Sequence, residues 1–248
     1  MRKNMFQATI NDVKSFRDSI EAIAVLIDEG TFQIDKNGIS LRAMDPSQIA
    51  LVDLLMPPSA FEEFKADEPT TLGIDFTELS KICKRAHPED KIDLSLNSRL
   101  KIIFKGKTTR EYNISIIDST SNPPKEPNIE FTAQVKIGAP IIKETLKDAE
   151  LVSNHVAIKV DKDGLTVSSD GDTGSVNIQI PDENILSKEV TEDSRSVFSL
   201  NHLDNLLKAA DATSLVSMSL KTDSPMKLEY AIGEGRVIYF LAPRIESV

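Results

Sequence analysis

The sequence has few of the residues that cross-link or anchor a small protein. It contains one cysteine, Cys83, no tryptophan and three histidines among 248 residues. A single cysteine forms neither an internal disulfide nor a cysteine-based zinc site. No apolar run approaches the roughly 20 residues that a membrane-spanning helix needs. The chain turns polar directly after Phe6, so we also expect no signal peptide. These absences indicate an intracellular protein.

Positive charge is also scarce. Acidic residues outnumber basic ones by 39 to 29, which gives a formal net charge of −10, and 40% of the residues are apolar. This composition is typical of a globular protein, and the length suits one large domain or two of ordinary size. The net charge argues against an overall attraction to nucleic acid, because phosphate binding is driven by clustered lysines and arginines. Any such contact must come from a local cluster.

The two halves of the sequence resemble each other. Residues 35–41, DKNGISL, recur as DKDGLTV at 161–167, and residues 101–104, KIIF, recur as KLEY at 227–230. Apolar patterns also recur by chance in strand-rich chains, and that alternative stays open. A constant spacing of 126 residues in unchanged order favours a duplication.

The segment between the halves contains three prolines. Residues 118–128, DSTSNPPKEPN, are typical of an extended tether without regular structure. We therefore predict an N-terminal domain at 1–117, a connecting loop at 118–128 and a C-terminal domain at 129–248.

Each half shows the same order of predicted elements. A strand (5–10 or 130–137) precedes a helix, strands with hairpin dipeptides at Asn37-Gly38 and Asp163-Gly164 follow, and a second helix (76–86 or 201–210) precedes alternating strands. The helices are too few to connect parallel strands. The pattern predicts an α+β fold with antiparallel sheets.

The four predicted helices have an apolar stripe and a polar face. The stripes consist of Phe16, Ile20 and Ile23; Leu79, Ile82, Cys83 and Ala86; Ile142, Leu146 and Ala149; and Leu203, Leu206, Leu207 and Ala210. The cations beside or opposite them are Lys14, Arg17, Lys81, Lys84, Arg85, Lys143, Lys147 and Lys208. The same helices carry Asp18, Glu21, Glu78, Glu144, Asp148 and Asp204. These faces are either ordinary solvated surfaces or one shared surface that holds a polyanion without reading its bases.

Residues for catalysis are sparse. His87, His155 and His202 lack the spacing of a zinc site, and Cys83 lies in an apolar stripe typical of a core position. We expect no catalytic residue, metal or cofactor. One alternative function is a metal-dependent nuclease that uses Asp170, Asp172 and Glu192. Another is a structural oligomer without a role on DNA.

Three distant segments together indicate a family. Residues 35–52, DKNGISLRAMDPSQIALV, residues 223–230, DSPMKLEY, and the terminal YFLAPRI at 239–245 resemble the corresponding segments of proliferating cell nuclear antigen, the sliding clamp. The resemblance covers essentially the whole chain. Three departures from animal members suggest an archaeal-type member: Gln48 where histidine is usual, a less aliphatic linker, and an end without an acidic tail.

The resemblance implies two similar clamp domains, with antiparallel sheets outside and four helices on the inner face of a ring of three protomers. It implies a DNA sliding clamp that encircles duplex DNA and tethers a replicative polymerase as a processivity factor. Other implied partners are the clamp loader, flap endonuclease and DNA ligase, held through short peptides with hydrophobic anchors. The implied location is the cytoplasm, at the nucleoid, or the nucleus in a eukaryote.

The resemblance also assigns roles to residues. The eight cations named above would face DNA. The pocket for partner peptides would consist of Met44, Ile49, Pro225, Phe240, Ala242 and Pro243. Strands at 109–117 and 175–180 would pair between subunits through Tyr112, Ile114, Ile116, Val176, Ile178 and Ile180.

Overall fold

The structure, a computed structural model, describes residues 6–118, 122–172 and 174–244. These residues divide into two compact units. The first comprises residues 6–46, 52–118, 122–124 and 232–237, and the second comprises 47–51, 125–172, 174–231 and 238–244. Each unit is therefore built mainly from one half of the sequence and includes a short segment of the other half.

The first half of the chain contains nine strands and two helices among its described residues. In chain order they are β1 (Phe6–Ile10), α1 (Val13–Ala24), β2 (Glu29–Asp35), β3 (Gly38–Met44), β4 (Ala50–Met56), β5 (Glu63–Ala66), β6 (Thr70–Asp75), α2 (Phe76–Cys83), β7 (Lys91–Leu96), β8 (Leu100–Lys105) and β9 (Thr109–Ile114). A short 3₁₀ turn at Pro58–Ala60 precedes β5.

The second half repeats this order. It contains β10 (Ala133–Gly138), α3 (Ala139–Glu150), β11 (His155–Asp161), β12 (Gly164–Gly171), β13 (Gly174–Ile180), β14 (Ile185–Val190), β15 (Ser194–Ser199), α4 (Leu200–Leu207), β16 (Leu215–Leu220), β17 (Met226–Ile232) and β18 (Gly235–Leu241). A 3₁₀ turn at Asp182–Asn184 precedes β14, as its counterpart precedes β5.

The strand order is the same in both halves. Neighbouring strands follow the order β5-β1-β7-β8-β9 in the first half and β14-β10-β16-β17-β18 in the second. A second set follows β4-β3-β2-β6 and β13-β12-β11-β15. The pairs with a described register are antiparallel, for example Phe6 opposite Leu96 and Ala133 opposite Leu220. The prediction of two similar α+β domains with antiparallel sheets and four helices is confirmed.

The apolar stripes of all four helices face the cores of their units, as the spacing predicts. Every stripe residue is less than 9% exposed except Ile82, which is half-buried. Helix α1 packs against α2, and α3 packs against α4. Both α1 and α2 begin at an aspartate cap, since Asp12 accepts from the Ser15 amide and Asp75 from the Glu78 amide. Helix burial leaves the polar faces outside.

The second helix of each half ends three residues before its predicted end. The amides of Arg85 and Ala86 donate to carbonyls three residues earlier, and those of Lys208 and Ala210 do the same. Such bonds tighten the chain into a final turn that no longer continues the α-helix. Lys84, Arg85 and Lys208 therefore follow the C-terminal ends of their helices. The negative end of the helix dipole stabilises cations at this position.

Both predicted hairpin dipeptides lie in equivalent turns. The Asp35 carboxylate accepts from the Asn37 amide at 2.7 Å, and Asp161 accepts from Asp163 at 2.9 Å. The glycines that follow have φ of +124° and +138°, which residues with a side chain rarely adopt. A Cβ at Gly38 would lie 2.1 Å from the Met56 carbonyl oxygen. The duplication thus extends to the hydrogen bonds of the turn.

Two strand boundaries differ from prediction. The strand predicted at 130–137 pairs only from Ala133, where its ladder with β16 begins. The strand predicted at 109–117 ends at Ile114, and Ile117 instead forms an isolated bridge with Gly73. Ile116 therefore lies outside β9. In the described ranges, no helix is long and apolar enough to cross a membrane.

We predict that Cys83 is inert in the native protein. Burial raises the pKa of its thiol to about 12, so the reactive thiolate form is rare at neutral pH. The residue is also only 1% exposed, so a reagent cannot reach the sulfur in the folded protein. Iodoacetamide at pH 8 should label the native protein at least 100-fold more slowly than the urea-unfolded chain, by mass spectrometry. Equal rates would show that α2 does not hold the thiol in a core.

Candidate functional site

The cations of the first unit lie among carboxylates of the same helices. Lys14 Nζ is 2.9 Å from Asp18 Oδ2, and Arg17 Nε is 3.6 Å from Asp18 Oδ1. Lys84 Nζ, just after α2, lies 3.5 Å from Glu21 Oε1 on α1. These pairs are exposed on the cationic side, so they stabilise the fold only weakly and leave the cations accessible to another anion.

Lys143 differs from the other predicted DNA-facing residues. It is half-buried on α3, and its Nζ donates to the Ala210 carbonyl at 2.5 Å, beyond the end of α4. Burial lowers the pKa of Lys143, and the charge of Lys147 lowers it further, against the opposing effect of Asp204 and Asp211. The ammonium group thus holds the two helices of the second unit together, which the sequence pattern did not predict.

The two units carry different charge on their helical faces. The first has five predicted cations, and its helices bear three carboxylates, Asp18, Glu21 and Glu78. The second has three cations, and its helices bear four carboxylates, Glu144, Asp148, Glu150 and Asp204. The excess of cations over helical carboxylates is therefore confined to the first unit.

Most of the predicted pocket for partner peptides belongs to the second unit. There Leu51, Ile238 and Phe240 form a buried apolar cluster. The Ala242 amide donates to the Ile49 carbonyl at 2.9 Å, which holds the terminal segment beside residue 49. Met44, the last residue of β3, belongs to the first unit and is 41% exposed.

Exposure separates the predicted pocket residues into a core residue and a surface. Phe240 is 4% exposed and belongs to the core cluster of the second unit, whereas Ile49 is 39% exposed. Pro225, Ala242 and Pro243 are half-buried. An apolar side chain as exposed as that of Ile49 gains free energy when a partner covers it.

Sequence reasoning missed two residues of this surface, Ile129 and Phe131. Both are partly buried and pack against the cluster that contains Phe240. Their alternation with polar neighbours, directly after the prolines of the linker, was the available signal. They add an aromatic and a branched side chain to the apolar surface of the second unit.

Backbone strain is concentrated beside the same surface. Among the described residues, the only non-glycine residues with positive φ are Gln48 at +59° and Asp223 at +54°. Gln48 directly precedes Ile49, and Asp223 is two residues before Pro225. The Asp223 amide donates to Ser196 Oγ at 2.9 Å, which helps to hold that conformation. Residues held in this region are frequent at binding sites.

The strands predicted to pair between subunits both stand at sheet edges. In the strand orders, β9 is last after β8, and β13 is first before β12. Tyr112, Val176 and Ile178 are half-buried, and Ile116 is exposed. Ile114 and Ile180 are each 3% exposed and belong to the cores. An unpaired edge presents free backbone donors and acceptors to another chain.

The candidate nuclease residues do not assemble. Over residues 6–118, 122–172 and 174–244, no group of three or more His, Cys, Asp or Glu side chains could hold a metal ion. Asp170 lies on β12, Asp172 follows that strand, and Glu192 follows β14.

Comparisons with known proteins agree with this architecture. A family model described as proliferating cell nuclear antigen, N-terminal domain, matches residues 5–118, and the model of the C-terminal domain matches 125–245. The chain is 38% identical to a protein named DNA polymerase sliding clamp from Methanococcus maripaludis, over 98% of this chain and 100% of that protein. A protein of the same name from Thermococcus gammatolerans is 34% identical over 98% of this chain and 99% of its own length.

Solved structures show the same fold. Proliferating cell nuclear antigen of Thermococcus kodakaraensis superposes with a TM-score of 0.92 at 24% identity, over 96% of this chain and 100% of that one. The structure of the C-terminal region of FEN-1 bound to A. fulgidus PCNA gives a TM-score of 0.91 at 28% identity, over 98% of this chain and 100% of that one. With both domain models matched in order, the chain belongs to the proliferating cell nuclear antigen family.

Proposed function

We propose that this chain is a DNA sliding clamp that closes as a ring of three copies around duplex DNA and tethers a polymerase to it. The observation that carries the proposal is the duplicated unit in which two helices bury an apolar stripe and expose cations. Its support is the full-length similarity to proteins named DNA polymerase sliding clamp. In this role the chain has no catalytic activity of its own and is associated with DNA.

The charge of the chain is compatible with this role. Phosphates respond to charge within a Debye length of about 8–10 Å, whereas the net charge of −10 acts on the molecule as a whole. Exposed lysines and arginines on the helices would attract the backbone without reading bases. Because a closed ring is retained by topology, these contacts need not be strong, and weak contacts permit sliding.

In the second unit we assign the partner-peptide surface to Ile49, Pro225, Ala242 and Pro243, with Phe240 in the core of that unit. Met44 of the first unit stays a predicted peptide contact. In one related structure the C-terminal region of FEN-1 is bound to A. fulgidus PCNA, which supports a peptide mode of binding for this chain too. A surface with a flexible methionine and prolines can accommodate several partners, such as polymerase, clamp loader, flap endonuclease and ligase.

Ring closure would pair β9 of one copy with β13 of the next. Both are edge strands with half-buried apolar side chains, and pairing would satisfy the backbone groups that each edge leaves open. Each of the predicted domains, 1–117 and 129–248, would contribute one of the two paired edges.

The first prediction concerns DNA. Replacing Lys14, Lys81 and Arg85 of the first unit by glutamate should lower polymerase stimulation on primed circular DNA by about tenfold, because phosphate attraction becomes repulsion. The control replaces Lys36, Lys65 and Lys107, which are exposed outside the helices, and changes the net charge equally. Equal losses in both triple variants would mean that the helical faces have no special role.

The second prediction concerns the ring. Size-exclusion chromatography with light scattering should give three times the 27.4 kDa protomer mass. Ile178→Glu should give one protomer mass, because a charge would be buried at the new strand pair. Gln179→Glu, on the other face of β13, is the matched control and should stay trimeric. A wild-type chain that remains a single protomer at high concentration would contradict self-closure.

The third prediction concerns the peptide surface. Ile49→Ser should weaken binding of a peptide from the C-terminal region of FEN-1 by about tenfold, or about 1.4 kcal/mol, in isothermal titration calorimetry. Met44→Ala should act in the same direction. Leu151→Ser, at a side chain that is 83% exposed beside α3, should leave affinity unchanged. Phe240→Ala should also lower thermal stability, because it empties a core position. Unchanged affinity in Ile49→Ser would place the peptide elsewhere.

A further inference from the structure

The second unit has a cavity that the clamp function does not use. It is an open cavity of about 700 Å³ on the sheet β13-β12-β11-β15. Fully buried Val156, Ile158 and Val160 of β11 alternate with His155 and Ala157, which line the cavity. Helix α3 packs on the sheet, so the fully buried residues mark the helical side and the cavity lies on the opposite face. Ser175, Val176 and Asn177 of β13 line one side of it, so pairing along that edge would leave the side at β15, three strands away, clear of the new strand.

The end of the cavity at β15 carries two side chains that donate hydrogen bonds to anions, Arg195 on β15 and Arg244 beside it. Ser153, before β11, and Ser168 of β12 also line the cavity, and Ser175 and Asn177 line its opposite end on β13. Both arginines are exposed. Arginine suits carboxylate and phosphate because its planar group donates two parallel bonds to them.

Arg244 is held in place at this end. Its backbone amide donates to the Val197 carbonyl of β15 at 2.7 Å. Its Nη1 lies 2.7 Å from the ring nitrogens of His155. Burial lowers the pKa of His155, and the charge of Arg244 lowers it further, so a neutral ring lies beside Nη1. A neutral imidazole accepts a hydrogen bond through only one of its two nitrogens.

The cavity also contains one carboxylate, Asp170. It lies on β12, two strands away from the strand that carries Arg195. Two strand spacings correspond to about 10 Å, so Asp170 occupies the other side of the cavity. An anionic group would therefore be directed to the β15 side, next to the terminal segment.

That terminal segment connects the cavity to the peptide surface. Ala242 and Pro243, two of the residues assigned to the peptide surface, directly precede Arg244, and the bonds to Ile49 and Val197 fix the segment at both ends. A peptide whose apolar anchors lie at Ile49 can therefore extend along this segment to the arginines.

We propose that the cavity formed by Arg195, Arg244 and His155 binds an acidic segment that flanks the apolar anchors of partner peptides. The inference rests on the proposed peptide docking and adds a determinant of partner choice. The acidic group is a carboxylate or a phosphate carried by the peptide, because both are flat or multidentate acceptors that match the guanidinium groups. Partners with acidic flanks would be preferred over partners with the same anchors and neutral flanks.

The test compares peptides that share the FEN-1 anchors and carry a run of either glutamate or glutamine on one flank, with each flank tried in turn. Wild-type protein should bind one of the glutamate peptides about tenfold more tightly than its glutamine counterpart. The Arg195→Gln/Arg244→Gln variant, which retains both backbone amides, should reduce this ratio to less than about twofold. Lys162→Gln removes a charge from the turn between β11 and β12, outside the cavity, and should keep the full ratio.

Three results would overturn the proposal: no preference for glutamate at either flank, a preference that survives the double substitution, or arginine-dependent binding of inorganic phosphate or a single-stranded oligonucleotide without any preference among peptides. The glutamine peptide tests peptide docking separately. If it binds and Ile49→Ser weakens it, docking holds whatever the glutamate peptides show. If no glutamine peptide binds, docking itself fails.

Discussion

The burial of one narrow apolar stripe on each helix is the constraint on which the rest of the structure depends. Helices α2 and α4 have eight residues each, fewer than the roughly 12–15 that an isolated helix needs in water. They exist because Leu79 and Cys83, or Leu203 and Leu207, pack into a core made mostly by sheets. That packing fixes the rotation of each helix, so the polar side has one orientation and its cations face outward together.

The antiparallel sheets complement these helices. Each unit covers one face of its strands with a helix pair, and the alternation of strand residues supplies the opposite, solvated face. On that second face, side chains are not needed for the core and can differ between the two units. The cavity at Arg195 lies there, on the second unit, whereas the shared topology comes from the buried face.

Periodicity and repetition predicted the fold because both are local signals. The stripes, the hairpin turns at Gly38 and Gly164, and the order of elements could all be read from neighbouring residues. Helix ends could not, because the i−3 bonds after Cys83 and Leu207 depend on how the chain leaves the core. The role of Lys143 was hidden as well, since its acceptor at Ala210 is 67 residues away. A motif does not specify how exposed its residues are. The burial of Phe240 and the exposure of Ile49 could therefore be learned only from the structure.

The unequal charge of the two helical faces has a consequence for motion along DNA. If the proposed trimer holds DNA against its helices, each copy would offer the duplex one helical face with an excess of cations and one with a slight excess of carboxylates. A duplex would then have three equivalent off-centre resting positions, each against a first unit, separated by shallow electrostatic barriers. In such a ring the clamp would slide with the duplex exchanging among three off-centre positions, and the duplex would not stay on the central axis.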